Sequence, residues 1–174
     1  IKAGIPYHYK NTSGNPEFTS TSANIFSLAM MIRLNEMDNL HLGQLKKLMG
    51  IPEAESIVDL AKATDKDFYK LILESVSALN LDGSNFRPTL KKLASYIKEQ
   101  SQNMQLDQQE WLVAYDDFKE INKHWTKYAS SVNTTSLTAF RNAMTLGQTA
   151  TIKQEDSVSL ATVHTMKGQQ STIV

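Results

Sequence analysis

The sequence predicts a mainly α fold, a helical body of about seven helices with a small β element at either end. Three observations predict it. Apolar residues recur at three- and four-residue spacing through most of the chain, which places them on one face of successive helices. β-branched and aromatic residues without that period gather at the two ends, with strands expected near residues 4–9, 157–163 and 171–174. Short polar segments holding Gly, Pro, Asn and Ser separate the periodic stretches.

Taken in order, "AGIPYHY" sets Gly4 and Pro6 ahead of tyrosines, an extended segment rather than a helix. "KNTSGNPEFTSTSAN" reads as a loop that ends in helix N-caps. Ile25, Leu28, Ala29 and Ile32 then fall at i, i+3, i+4 and i+7. Leu42, Leu45, Leu48 and Met49 give a shorter helix that stops at Gly50 and Pro52, and Ile57, Leu60 and Ala61 begin another. Thr64 with Asp67 resembles a capping box ahead of Phe68, Leu71, Ile72 and Leu79.

"NLDGSNFRP" is a turn, and Pro88 suits the first turn of a helix whose stripe is Leu90, Leu93, Ala94 and Ile97. From Leu106 to about Ser130 there is neither Gly nor Pro, and Trp111, Tyr115, Phe118, Ile121, Trp125 and Tyr128 recur every three or four residues, the longest helix. "SSVNTT" breaks it. Leu137, Phe140 and Met144 mark a last helix ending near Gly147, after which "SVSLATV" and "STIV" read as strands on either side of a turn at Gly168.

Composition narrows the function classes. The 174 residues fit one domain of ordinary size. Cysteine is absent, which excludes disulfides, a thiol nucleophile and a cysteine metal site and makes an intracellular origin the default. Lysine plus arginine equal aspartate plus glutamate at 18 each, so a protein that holds nucleic acid by a broad positive field is excluded and any DNA contact is local. No run approaches the roughly 18 apolar residues of a membrane span. The expectation is a soluble, cytoplasmic chain with no membrane partner. Ile1 at the start and Val174 inside an apolar run further read as the ends of a piece cut from something longer.

No GxxxxGK[ST] phosphate loop is present, and His8, His41, His124 and His164 lack ligand spacing or a triad order. The aromatic stripe from Trp111 to Tyr128 reads first as a core seam, with base stacking as the alternative. Lys119, Lys123 and Lys127 form a basic ridge, but Asp116, Asp117 and Glu120 beside them favour a solvated face over a phosphate track. At the tail, Thr162, His164 and Lys167 collect at the end of a strand, where donors can meet a phosphate or a substrate. By composition alone this is equally an ordinary β-turn-β.

"VSLATVHTMKG" resembles motif V of the superfamily 1 DNA helicases of the UvrD, Rep and PcrA kind, an apolar strand followed by T-x-H-x-x-K-G-L-E-F. "GIPY" is similar to the strand after motif IV of the same helicases. The resemblance implies that residues 1–10 are a strand stub of motor domain 2A, 11–155 a helical 2B-like insertion into this RecA-like domain, and 156–174 its motif V segment. It implies DNA-side roles for Thr162, His164 and Lys167, and nucleotide-side positions for Gly168 and Gln170. Where the family has L-E-F the chain has Gln169, Gln170 and Ser171, an amide in place of the acid that reaches the ribose. "LMGIPEAESIVDL" is similar to the Gly-Ile-Gly hairpin that holds duplex backbone through exposed N–H groups, which implies DNA-binding roles for Gly50, Ile51 and Glu53. Pro52 stands at the second glycine and lacks an N–H.

The function so implied is an accessory domain of an ATP-dependent DNA helicase, engaging single-strand and duplex-junction DNA and regulating unwinding. ATP and Mg2+ belong to the parent protein, and the fragment needs no cofactor and has no ATPase activity of its own. The parent's place is in DNA repair or in recombination as a helicase-nuclease. The alternative is a protein-docking or regulatory helical module in which DNA is not the main partner. A basic face around Lys46, Lys47 and Lys62 speaks for DNA and an exposed apolar patch for protein.

Overall fold

The computed structural model describes residues 7–9, 18–103, 108–149 and 158–160. Its body is helical: α1 (Thr21–Leu34), α2 (Asn39–Met49), α3 (Ile57–Ala63), α4 (Asp67–Ser77), α5 (Phe86–Asn103), α6 (Gln108–Ser131) and α7 (Leu137–Thr145). Two segments of three residues, β1 (Tyr7–Tyr9) and β2 (Val158–Leu160), pair in parallel, with Tyr7 opposite Val158 and Tyr9 opposite Leu160. The third expected strand, near residues 171–174, lies outside the described residues.

Each helix starts and stops for a local reason. Ser20 caps α1 by accepting from the Ala23 N–H at 3.2 Å, Asp38 caps α2 through the His41 N–H, Ser56 caps α3 through the Asp59 N–H and Ser136 caps α7 through the Ala139 N–H. Helix α4 departs from the expected capping box. Thr64 closes α3 in extended conformation, and its hydroxyl accepts from the Lys66 N–H two residues on, so α4 begins at Asp67 behind Lys66 with no side-chain cap. Competition between closing one helix and opening the next, three residues apart, moves the start of α4 beyond Thr64's reach.

Helix α1 lies at the centre, packed on α2, α4 and α6, while α5 packs on α4 and α6, α3 on α4 and α7 on α6. The expected stripes supply the core. Ile25, Ala29 and Ile32 of α1, Leu45 of α2, Ile72 of α4, and Leu90, Leu93 and Ile97 of α5 are buried, whereas Leu28, Leu42, Met49, Leu71 and Ala94 are only half-buried and Leu48 is exposed. The α6 stripe is a core seam: Phe118, Ile121, Trp125 and Tyr128 are buried and only Trp111 and Tyr115 reach partly into solvent.

Aromatic rings join the helices in a chain. Phe26 of α1 meets Phe118 of α6 nearly edge-on at 5.5 Å between centroids, and Phe86 of α5 meets Trp125 of α6 at 4.7 Å and Phe140 of α7 at 5.3 Å. Such pairs add roughly 0.5–1.5 kcal/mol each beyond the area they bury. The turn before α5 is built to admit Trp125. Gly83 has φ +78°, and a Cβ at that position would collide with Trp125 Cη2, so the glycine is required both by conformation and by space. Asn85 closes the same turn by accepting from the Asn80 N–H at 2.8 Å and donating to the Ala78 carbonyl at 2.8 Å.

Candidate functional site

The α2–α3 hairpin carries three of the residues that the sequence resemblance points to. Helix α2 ends at Gly50, whose φ of +70° is the left-handed conformation that glycine adopts without steric cost. The Gly50 N–H donates to the Lys47 carbonyl at 3.3 Å and the Ile51 N–H to the Lys46 carbonyl at 3.0 Å, the two crossed bonds of a Schellman cap. This corrects the expectation that Gly50 and Ile51 offer free N–H groups to a phosphate. Those donors are consumed by the last turn of α2, because a helix leaves its final carbonyls without partners and the nearest amides turn back to meet them. Pro52 has none to offer. Glu53 is exposed, and its N–H has no backbone partner among the described residues.

Charge around the hairpin is mixed rather than basic. Lys46 and Lys47 close α2 and Lys62 closes α3, against Glu53, Glu55 and Asp59 between them. Ile51 turns its side chain onto the core, and Leu48 stands 41% exposed. Further along the surface, Met37 and Leu40 are 88% and 69% exposed at the α1–α2 corner. Thr162, His164, Lys167, Gly168 and Gln170, the motif V positions, lie outside the described residues.

Periodicity does not reveal the cleft between the start of α4, α5 and α6, a cavity of about 400 Å³. Phe68 forms its floor, stacked on Tyr96 at 5.2 Å with the rings 2° from parallel and tilted against Trp111 at 5.3 Å. Asp67 and Glu110 stand among its lining residues, and Lys66 Nζ sits 4.7 Å over the Tyr69 ring. Burial pushes the Tyr96 phenol above its ordinary value, and the carboxylates of Asp67 and Glu99 add to the shift. No local sequence signal marks it, because Phe68 and Tyr69, Tyr96 and Trp111 come from three stretches that lie far apart in the chain.

His124 is buried, whereas His41 is half-buried. Its Nδ1 pairs with the Thr149 hydroxyl at 2.8 Å, and its Nε2 lies 3.8 Å from Glu120. Burial lowers its pKa below the ordinary imidazole value; Glu120 opposes the shift, while Lys127 and Lys123 add to it. This arrangement fastens α6 to the turn after α7 and leaves the ring no open approach. On the basic ridge, Lys123 is paired with Glu120 at 2.7 Å and Lys119 sits 5.4 Å over Tyr115, a solvated face as read from the sequence.

Among the described residues no group of three or more His, Asp or Glu is placed to hold a metal ion, and no helix is long and apolar enough to cross a membrane. Comparison with protein families, with characterised proteins and with solved structures gave no match.

Proposed function

We propose that the chain is the helical, 2B-like accessory domain of a UvrD-type, ATP-dependent DNA helicase, set into the second RecA-like motor domain and contributing to DNA engagement and the regulation of unwinding. One observation carries the reading beyond the motif resemblance. β1 and β2 are parallel neighbours, although all seven described helices lie between them in sequence. A parallel pair requires a crossover connection, and here that connection is an entire helical body. Such a connection supports reading the body as a domain inserted between two adjacent strands of a sheet, of which β1 and β2 would be remnants. β1 begins at Tyr7, the last residue of the stretch similar to the strand after motif IV, and β2 opens the stretch that resembles motif V.

In this reading Thr162, His164 and Lys167 donate to single-stranded DNA, Gly168 and Gln170 face the nucleotide side, and the parent's motor domains bind ATP and Mg2+. The protein-docking alternative has one observation in its favour, the exposed Met37 and Leu40 beside the charge-balanced hairpin. The test uses the protein encoded by the complete gene in strand displacement on forked DNA. ATP-dependent displacement is expected, with Lys167→Ala lowering DNA-stimulated ATP hydrolysis at least tenfold, a loss of about 1.4 kcal/mol of coupling. A protein that neither hydrolyses ATP nor separates strands overturns the proposal.

A further inference from the structure

The most segregated charge on the described surface is on α5. Arg87, Lys91, Lys92 and Lys98 are all exposed, and Glu99 is the only acid in the helix. At about 100° per residue Arg87, Lys91 and Lys98 fall within an arc of roughly 40° and spread along roughly 16 Å of the helix axis. Ser95 lies on the same side, and Lys92 stands on the flank nearer Glu99. The buried row Phe86, Leu90, Leu93 and Ile97 is centred roughly 110° away around the helix, which leaves the cations on an exposed flank. Arg87, Pro88, Lys91, Lys92 and Ser95 line a shallow groove.

These cations have no partner, a condition shared by the more dispersed Lys46, Lys47, Lys62 and Lys70 but not by several other basic residues. Lys123 is held by Glu120, Lys119 and Lys66 lie over tyrosine rings, and Arg33 donates to the Leu79 carbonyl. Among the described residues none of the four α5 cations has an ion pair, a hydrogen bond or a ring contact. Four like charges kept together on one helix repel one another, and in a chain of net charge zero nothing in the overall composition demands it.

We infer that the outer face of α5, through Arg87, Lys91 and Lys98 with Lys92 and Ser95 beside them, binds the sugar–phosphate backbone of DNA. It rests on the DNA-engaging reading for the choice of DNA as the polyanion, and it moves the contact from the α2–α3 hairpin to a different helix. The phosphates of one strand advance about 3.4 Å per nucleotide along the axis, so the face spans several of them, and recognition is of the backbone rather than of the bases.

The experiment is fluorescence anisotropy of a labelled duplex with the full chain, without nucleotide, over a series of salt concentrations. The triple variant Arg87→Gln/Lys91→Gln/Lys98→Gln is expected to bind at least tenfold more weakly at low salt, and its log Kd against log salt slope to fall by roughly 2–3. Arg87→Lys/Lys91→Arg/Lys98→Arg should retain binding, and Lys119→Gln/Lys123→Gln on α6 should bind as the parent chain does. Circular dichroism confirms that each variant is folded. A folded triple variant that binds like the parent chain, an equal loss in the α6 variant, or binding of poly-glutamate as tight as that of DNA overturns the inference. Because no ATP is involved, failure here is separate from failure to unwind, which bears on the helicase proposal alone.

Discussion

At the scale of single residues, His124 shows how burial turns a surface-like histidine into a pH-sensitive fastening. Its ring is neutral in the fold because burial disfavours the charged form, whereas in the unfolded chain it titrates near the ordinary value of about 6.5. Below that value the unfolded state binds the proton more readily, so the stability contributed by His124 is full above about pH 6.5 and is lost as pH falls toward the lowered native value. The urea midpoint of the parent chain should therefore fall between pH 7.5 and pH 5 by more than that of His124→Asn, which keeps a side-chain amide near Thr149 and does not titrate. Equal falls in both proteins would contradict this. Glycines divide in a related way: Gly50 and Gly83 both have positive φ, but only at Gly83 does the space for a Cβ belong to another side chain, Trp125. The turn signal at each was legible in the sequence, and the steric demand at Gly83 was not.

At the scale of elements, α1 draws part of its start from another helix. Its own first turn contains no acidic residue, and the Ser20 N–H and hydroxyl donate to Asp117 Oδ2 of α6 at 2.8 and 2.7 Å. That carboxylate satisfies the buried cap and places negative charge at the positive end of the helix dipole. Asp117→Ala should lower the unfolding free energy by about 2–3 kcal/mol, since charge-assisted bonds are lost and buried donors are left unpaired. Asp117→Asn should lose less, because one acceptor oxygen remains; denaturant titration of both variants tests this. In the sequence Asp117 is simply one of the charges on the solvated side of a long amphipathic helix. Helix positions and core stripes were legible because 3.6-residue periodicity is a local property of the chain. The start of α4 was misread because Thr64 serves the preceding helix. The hairpin's N–H donors were misread because capping of α2 consumes them.

At the scale of the whole molecule, the aromatic chain from Phe26 through Phe118 and from Phe86 through Trp125 to Phe140 links α1, α5, α6 and α7, so these helices share one core. Unfolding of the helical body is expected to be a single transition, with the tryptophan fluorescence of Trp111 and Trp125 and the far-ultraviolet helix signal coinciding. Phe86→Ala, at a fully buried site touching three helices, should lower its stability by about 3–5 kcal/mol without splitting that transition. Two separated transitions in the parent chain would show that the body is not one cooperative unit. The sequence by itself determined the helical class, the number and order of the helices and the apolar face that most of them bury, because these follow from side-chain spacing and from local capping and turn chemistry; on α2 only Leu45 of the expected stripe is buried. It also carried the resemblance in "VSLATVHTMKG". Only the tertiary structure decided which polar groups are consumed internally and which are left to face solvent. Asp117 is taken by Ser20, His124 by Thr149 and the Gly50 and Ile51 amides by α2, while Arg87, Lys91 and Lys98 are left without partners. The physical reason is that a charge or a donor is satisfied by whatever lies within about 3 Å in space, and separation along the chain does not set that distance.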